Sequence, residues 1–596
     1  MADRTVADLI VDRLESWGVR RVFGYSGDGI NAFMGALRRG RDRVEFVQAR
    51  HEENAAFMAV GHAKYSGEVG VVTSTQGPGA VHLLNGLYDA KLDHVPVVAI
   101  IGQQSTSVLG SSYMQEIDLP ALVKDVAAFS QLVSSAEQLP MVLDRAFRAA
   151  LTERAPAVVI VPHDVQKEPP ADLPQQHGIV VTAPAWAAPR VLPGDDELSA
   201  ATEVLDVGSR VAMLVGQGAR HARDEVLAVA RALDAGIVTS LLGKPWVDEE
   251  LPFVAGTMGH LGTTASAFVL GTCDTLLIVG SNDPWTEFYP PPGQARAVQI
   301  DIDGRAVGNR YPVQVSLVGD AAATLAALRE RLAPHDNDRW RTDVENAVRD
   351  WHILARTRAM TAAEPVNPER VMYELNPRLP QDAQVAVDVG SCVYWYARHL
   401  RLPAGVPAHL SGTLASMGCS IPYGIAAKLL HPHRPLVALT GDGAMQMTGV
   451  AELITVSRMW RRWSDPRFVV CVLHNADLAE VSWEQREMEG EPVFPDSQEL
   501  PRFPYAAYAE LLGLRGIRIE QPERLGDAWD QALSADRPAV IEVLTDPAVP
   551  LLAPFPAGAA ALEQMRAGIA AEGEAGHRAR RLLDIYAGHE GDDPAE

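Results

Sequence analysis

One pattern recurs along most of this chain: a short run of Val, Ile, Leu and Ala that stops on glycine or a small polar residue and is followed by helical spacing. It appears in "VGVVTSTQGPG", "VPVVAIIGQQ", "AVVIVPHD", "RVAMLVGQG", "TLLIVGSND", "AVQIDID", "AQVAVDVG", "LVALTGDG", "FVVCVLHN" and "AVIEVLTD". The runs are continuously apolar instead of alternating, so both faces of each strand are covered, as in parallel sheets flanked by helices. The expectation is an α/β chain of doubly wound parallel-sheet domains. At 596 residues the chain is too long for one hydrophobic core. Residues 165–197 are proline-rich and aperiodic, as an interdomain connection is. A second break falls between "RTDVENAVRDWHILARTRAM" and "EPVNPERV". Three domains are therefore expected over residues 1–180, 190–345 and 365–550, with a tail over 551–596.

A formal charge of −24 argues against a nucleic-acid partner, because binding phosphates takes a basic face. An anionic substrate would need cations placed locally. The apolar segments are too short to cross a bilayer, and the first residues carry no export signal. Cys273, Cys392, Cys419 and Cys471 show no metal-ligand spacing and read as buried free thiols, which suits a cytoplasmic protein.

The run "PLVALTGDGAMQMTG" stops on Gly441, Asp442 and Gly443. In doubly wound sheets, ligands sit beyond the C-terminal ends of strands, where glycines let a phosphate approach the backbone. A hard cation such as Mg²⁺ offsets phosphate charge through one or two protein oxygens. Asp442 is one candidate oxygen, and the next strand, "RFVVCVLHNADLAE", ends in His474 and Asn475, which would stand beside it. The carbonyl of Asp477 could complete the set.

The segment "QARHEENAAFMAVGHAKYSGEVGVVTSTQGPGAVHLLNGLYDAKLDHVPVVAIIGQ" resembles the pyrimidine-binding domain of thiamine diphosphate enzymes, with His51-Glu52 opening a helix and the Gly77-Pro78-Gly79 turn after a strand. In that family the GDG turn and the residues after the next strand hold diphosphate and Mg²⁺. The resemblance runs from about residue 5 to residue 550, with pyruvate oxidases and the quinone-linked pyruvate dehydrogenases as the nearest branch and acetolactate synthases slightly further off. It implies that Glu52 hydrogen-bonds the cofactor pyrimidine, that Met417 is the apolar wedge beneath it, and that the Ala415 carbonyl faces its amino group. Gly77, Gly79 and Gly390 then contact cofactor, and Gln115 lies near the substrate. The central segment looks like the flavin-binding domain of the oxidases. Gly216, Gly218, Gly259 and Gly280 would let backbone approach FAD, and Asp301, Asp303 or Asp320 would meet its polar groups, although each glycine alone reads equally as a turn.

The implied reaction is decarboxylation of a 2-oxo acid, pyruvate first, with oxidation through FAD to quinone or oxygen. Carboligation of the acetolactate synthase type and simple decarboxylation are the alternatives. The family builds its site from two chains, so a homodimer or homotetramer is implied. Three departures stand out. The stretch between Gly443 and His474 is long, Met114 replaces the usual aromatic before Gln115, and the lid "ADLAEVSWEQREMEGEPVFPDS" is highly charged. Glu480 stands where the oxidases place an apolar residue, and Glu480 with Glu484 reads equally as a solvated helix face. The tail has a short apolar stripe, Leu582, Leu583, Ile585 and Tyr586, ahead of an acidic end, so peripheral membrane contact is not favoured.

Overall fold

The computed structural model describes residues 4–336 and 338–591, and these form three six-stranded sheets with helices on both faces. The N-terminal sheet contains β1 (Arg21–Gly24), β2 (Glu45–Gln48), β3 (Gly70–Ser74), β4 (Val97–Gln103), β5 (Phe129–Leu132) and β6 (Pro156–Pro162), in the order β2-β1-β3-β4-β6-β5. The central sheet contains β7 (Val211–Val215), β8 (Gly236–Thr239), β9 (Val254–Thr257), β10 (Thr275–Val279), β11 (Arg296–Asp301) and β12 (Val315–Val318), ordered β12-β11-β10-β7-β8-β9. The C-terminal sheet contains β13 (Gln384–Val387), β14 (Ala408–His409), β15 (Leu436–Gly441), β16 (Phe468–His474), β17 (Arg515–Ile519) and β18 (Ala539–Leu544), ordered β14-β13-β15-β16-β18-β17. Every named strand pairs in parallel. The doubly wound class expected from the apolar runs is what forms.

The runs quoted above are β3, β4, β6, β7, β10, β11, β13, β15, β16 and β18. They are the contiguous centres of the three sheets. The strands that carry no such run lie at the edges or next to them; β5, for example, has every residue half-buried. A strand with one covered face needs no unbroken apolar run, so its signal is weaker.

The first and third sheets share one strand order, shifted by twelve positions in the numbering. Thr75–Gly79 and Thr440–Gly443 thus occupy equivalent places, at the turns after β3 and β15. Both turns flank the point where the winding reverses, where crevices open at strand ends.

These two sheets share one hydrophobic core that includes Phe23, Phe57, Tyr423 and Phe468. The helix Glu52–Ser66 is buried from Asn54 to Tyr65 because it packs on its own sheet and on the helix Ser420–Leu430. Gly61 makes that contact close: a Cβ there would lie 2.9 Å from the Tyr423 Cα. The tail is docked too, through the helices Leu562–Ala571 and His577–Glu590. Leu582, Leu583 and Tyr586 are buried in the core of the C-terminal sheet, leaving only Ile585 of the tail stripe exposed. Arg358 pins the tail by pairing with Glu369 at 2.9 Å and Glu590 at 3.0 Å. The acidic end beyond Gly591 lies outside the described residues. Among the described residues, no helix is long and apolar enough to cross a membrane, and the four cysteines are buried and free.

Gly61→Val should lower the melting temperature, because the backbone of Tyr423 blocks its Cβ and overpacking costs about 1–3 kcal/mol. Gly35→Ala, in the helix Asn31–Arg39 and near only the tip of Arg39, should hold or raise it. Thermal unfolding of both variants checks the contrast.

Candidate active site

At the reversal point of the C-terminal sheet, β13 ends in Asp388 to Gly390 and β15 ends in Gly441 to Gly443. Gly390 has φ +117°, a conformation that side chains rarely adopt. A Cβ on Gly390 or on Gly441 would meet nothing within 4 Å, so the space over this turn is open. Asp442 is only 2% exposed, and its carboxylate accepts the N–H groups of Gly443 at 3.0 Å and Ala476 at 2.6 Å. Its nearest cationic partner among the described residues is His474 Nε2 at 4.0 Å. Burial pushes the Asp442 pKa up to about 6 against the pull of the Ala476 N–H and of His474. A buried carboxylate beside open glycine positions is a donor suited to a hard cation, so a Mg²⁺-diphosphate group fits the chemistry of the turn.

Register supplies the second oxygen. Gly441 pairs with Leu473 on β16, which brings the chain after His474 alongside Asp442. Asn475 Oδ1 accepts the Asp477 N–H at 2.9 Å, and the Asp477 carboxylate accepts the Ser482 hydroxyl at 2.9 Å. The Asp477 carbonyl, not its side chain, is thus the candidate ligand. His474 turns its Nδ1 toward Glu542 at 3.0 Å.

Met417 stands against the same turn: its Sδ lies 3.8 Å from where a Gly443 Cβ would be. The loop carrying it is held by Asp388, a residue the sequence reading passed over inside "AVDVG". That buried carboxylate accepts the N–H of Gly418 at 2.7 Å and the hydroxyl of Ser420 at 2.6 Å. Asp93 holds the other end, accepting the N–H groups of Gly412 at 2.9 Å and Thr413 at 2.8 Å. Between them Ala415 sits at φ +57°, a strained setting for a non-glycine residue.

The N-terminal half-site forms after β3. Gly77, at φ +58°, admits close approach of Gln115, itself at φ +63°. Gln76 donates to Gln115 Oε1 at 3.1 Å. Glu52 starts its helix with His51 as N-cap, and its carboxylate lies 3.4 Å from where a Gly79 Cβ would sit. Glu52 Oε2 is 3.0 Å from His82 Nδ1, and the His51 ring lies 4.4 Å from that of His82. Sequence reasoning missed His82; its position one turn into the helix Pro78–Leu92 was the available signal. The structure thus gathers Glu52, Gly77, Gly79 and Gln115 at one turn and Gly390, Ala415, Met417, Gly441 to Gly443, Asn475 and Asp477 at the other.

The central sheet behaves differently. Gly216 and Gly218 follow β7 and Gly280 follows β10, at that sheet's own reversal point. Yet a Cβ on Gly216 would strike the Gly280 carbonyl at 2.2 Å, one on Gly218 would meet the Gly280 Cα at 2.7 Å, and one on Gly259 would meet Trp285 at 2.5 Å. Here glycine is required by contacts within the chain. Asp320 caps a helix by accepting the Ala323 N–H, Asp303 pairs with Arg305 at 2.8 Å, and Asp301 accepts the Asp303 N–H at 2.9 Å. Each of these carboxylates thus already accepts a hydrogen bond or pairs with a cation within the chain.

The lid corrects one alternative reading. Glu480, Glu484 and Glu487 are spaced to share a helix face, and that face turns inward. Glu480 and Glu484 are half-buried and Glu487 is buried, and burial pushes Glu480 up to about 7, helped by the charge of Glu484. Glu487 lies 3.5 Å from His260 of the central sheet's loops, and His260 is 2.9 Å from Glu287. The opposite face is covered by the tail, where Arg486 meets Glu572 at 2.8 Å.

Three doubly wound sheets, two of them alike in order and ending in a diphosphate-suited turn, define a class of protein that holds an extended phosphate-bearing cofactor. Residues 4–122 match the N-terminal thiamine pyrophosphate (TPP) binding domain of thiamine pyrophosphate enzymes, 198–328 their central domain and 388–543 their C-terminal TPP binding domain. The chain is 35% identical over 551 residues to YdaP of Bacillus subtilis, provisionally named a thiamine pyrophosphate-containing protein, covering 92% of this chain and 93% of that one. It is 30% identical over 541 residues to pyruvate oxidase of Lactiplantibacillus plantarum, covering 90% and 87%. It is 31% identical over 557 residues to the large subunit of acetolactate synthase isozyme 2 of Escherichia coli, covering 91% and 95%. The chain belongs to the thiamine pyrophosphate enzyme family.

A raised carboxylate pKa means that protons bind the folded, metal-free protein more tightly than the unfolded chain. Asp442 therefore lowers stability as pH rises from about 4 through about 6. Asp442→Asn should raise the melting temperature of metal-free protein at neutral pH and leave it unchanged below about pH 4. Stabilisation by Mg²⁺ with thiamine diphosphate should disappear in that variant, and in the wild type should weaken as pH falls below about 6.

Proposed function

We propose that this protein is a Mg²⁺- and thiamine diphosphate-dependent enzyme that decarboxylates a 2-oxo acid, pyruvate first. The observation that carries the reading is the turn itself: a buried, desolvated Asp442 beside open glycine positions at a strand-end crevice. Bound thiamine diphosphate supplies a carbon nucleophile and an electron sink. Asp442, Asn475 and the Asp477 carbonyl would hold the metal, and Gly390 and Gly441 would leave room for phosphate oxygens. Glu52 would keep a proton at the pyrimidine ring, with His82 fixing its carboxylate. Met417, already against the metal turn, would fill the bend of the cofactor, and Gln115 would orient the substrate carboxylate.

The two half-sites are proposed to meet across subunits. In the single chain, His51 and His82 are each about two-fifths exposed beside Glu52, and Tyr25, Val81, Tyr113 and Met114 form exposed apolar surface on the same sheet's side of the chain. Met447, Ile454, Val481 and Phe494 do the same among the elements that follow β15 and β16. Exposed apolar side chains around both halves suit contact with a second copy, in a dimer or a tetramer.

For the fate of the fragment left after CO₂ loss we propose oxidation with FAD, as the resemblance to the pyruvate oxidase branch suggests, with quinone or oxygen as final acceptor. The equal likeness to the acetolactate synthase large subunit, 31% identical over 557 residues, favours a second reading, carboligation without oxidation. Purified protein given pyruvate and an artificial electron acceptor separates them: acceptor reduction is expected, and an acetoin-yielding product without reduction would establish ligation. Glu52→Gln should lower turnover at least roughly a hundredfold while cofactor binding persists. Unchanged turnover in that variant would refute the assignment of Glu52.

A further inference from the structure

A cavity of about 200 Å³ opens between the edge strand β9, the helix Asp338–Ala359 and the helix Ser391–His399. It lies away from both half-sites, and its walls have the wrong sign for a chain of net charge −24. Arg356, Arg398 and Arg401 line it with His352 and Lys244, against a single carboxylate, Glu249. Glu249 is already committed, taking Lys244 Nζ on both oxygens at 2.6 and 2.7 Å.

Arg356 and Arg401 are left with little to balance them, while Arg398 also feels the charges of Glu369 and Glu590. Arg356 pairs with no carboxylate among the described residues, and Arg401 has only the exposed Glu250 at 3.6 Å. Arg398 is 4% exposed and donates through Nε to the Gly262 carbonyl at 3.1 Å and through Nη2 to the His260 carbonyl. Its Nη1 is buried with no hydrogen-bond partner among the described residues. An unsatisfied charged donor in a buried site costs more than a neutral one, so an acceptor that reached this group would be held strongly. Burial and the nearby Arg358 push the Arg398 pKa down to about 10, still leaving it charged at neutral pH.

We propose that this cavity binds a small oxyanion of the phosphate class, held by Arg398 at its floor and by Arg356 and Arg401 at its mouth. Guanidinium forks match the oxygens of phosphate in geometry and charge. The volume falls below the roughly 300–1,000 Å³ of sites for drug-sized ligands, so inorganic phosphate or a small phosphorylated metabolite fits and a dinucleotide does not. Arg398 also joins the cavity to the lid, because the His260 whose carbonyl it holds faces Glu487 at 3.5 Å. Binding there requires neither cofactor nor turnover.

Calorimetric titration of the full-length protein with inorganic phosphate, at low ionic strength, neutral pH and without added cofactor, tests the site. Saturable binding near one phosphate per chain is expected. The double variant Arg356→Gln, Arg401→Gln should bind at least about tenfold more weakly while its melting temperature stays near wild type, since both side chains stand at the mouth. No saturable binding, or binding indifferent to the two substitutions, as phosphate at the candidate cofactor turn would give, overturns the proposal. Arg398→Lys adds a second check: it keeps the charge but loses the fork, and should also weaken phosphate binding.

Discussion

A carboxylate that is nearly sealed from water, with two backbone N–H groups and a distant histidine for company, is an expensive thing for a fold to keep. Asp442 is in that position, and much of the rest of the C-terminal half can be understood as the means of keeping it there. The unbroken apolar run of β15 buries the strand, the parallel pairing with β16 brings the next loop alongside, and Gly390 and Gly441 keep side chains out of the crevice. Asp388 and Asp93 then fix the loop that sets Met417 against the turn. Strain and unfavourable burial concentrated at one place mark this turn as the candidate binding site.

The repeated strand order gives this arrangement a counterpart. The turn after β3 and the turn after β15 are topologically the same place, but one offers a carboxylate on a helix start and the other a metal-suited aspartate. Under the proposed function, two like modules would hold opposite ends of one ligand. The close packing of the helix Glu52–Ser66 against Ser420–Leu430 makes them a single body, with Gly61 as the contact that allows it.

Much of this was legible in the sequence. Central strands declared themselves because both faces are buried, and the GDG turn and the His51-Glu52 helix start are local features whose chemistry needs no tertiary information. What escaped detection depends on distant parts of the chain. Asp388, Asp93 and His82 look like ordinary polar residues until the fold shows what they hold. The inward turn of Glu480 and Glu484 is invisible because a helical stripe of carboxylates reads the same whichever side the tail covers. At the glycines of the central sheet the fold shows a close approach that no local pattern displays, that of the chain's own Gly280 and Trp285. The cationic cavity draws on separate helices and a strand edge, which no spacing rule connects.

The central claim is that one cofactor is held by Glu52 of one chain and Asp442 of another. Co-expression of two tagged chains, one carrying Glu52→Gln and the other Asp442→Asn, tests it directly, because each is defective alone. If sites form between chains, the mixed dimer has one site with both native residues, and the mixture should recover about a quarter of wild-type turnover. If each site is built within a single chain, no mixture contains an intact one, and the absence of any recovery in isolated mixed dimers would contradict the account.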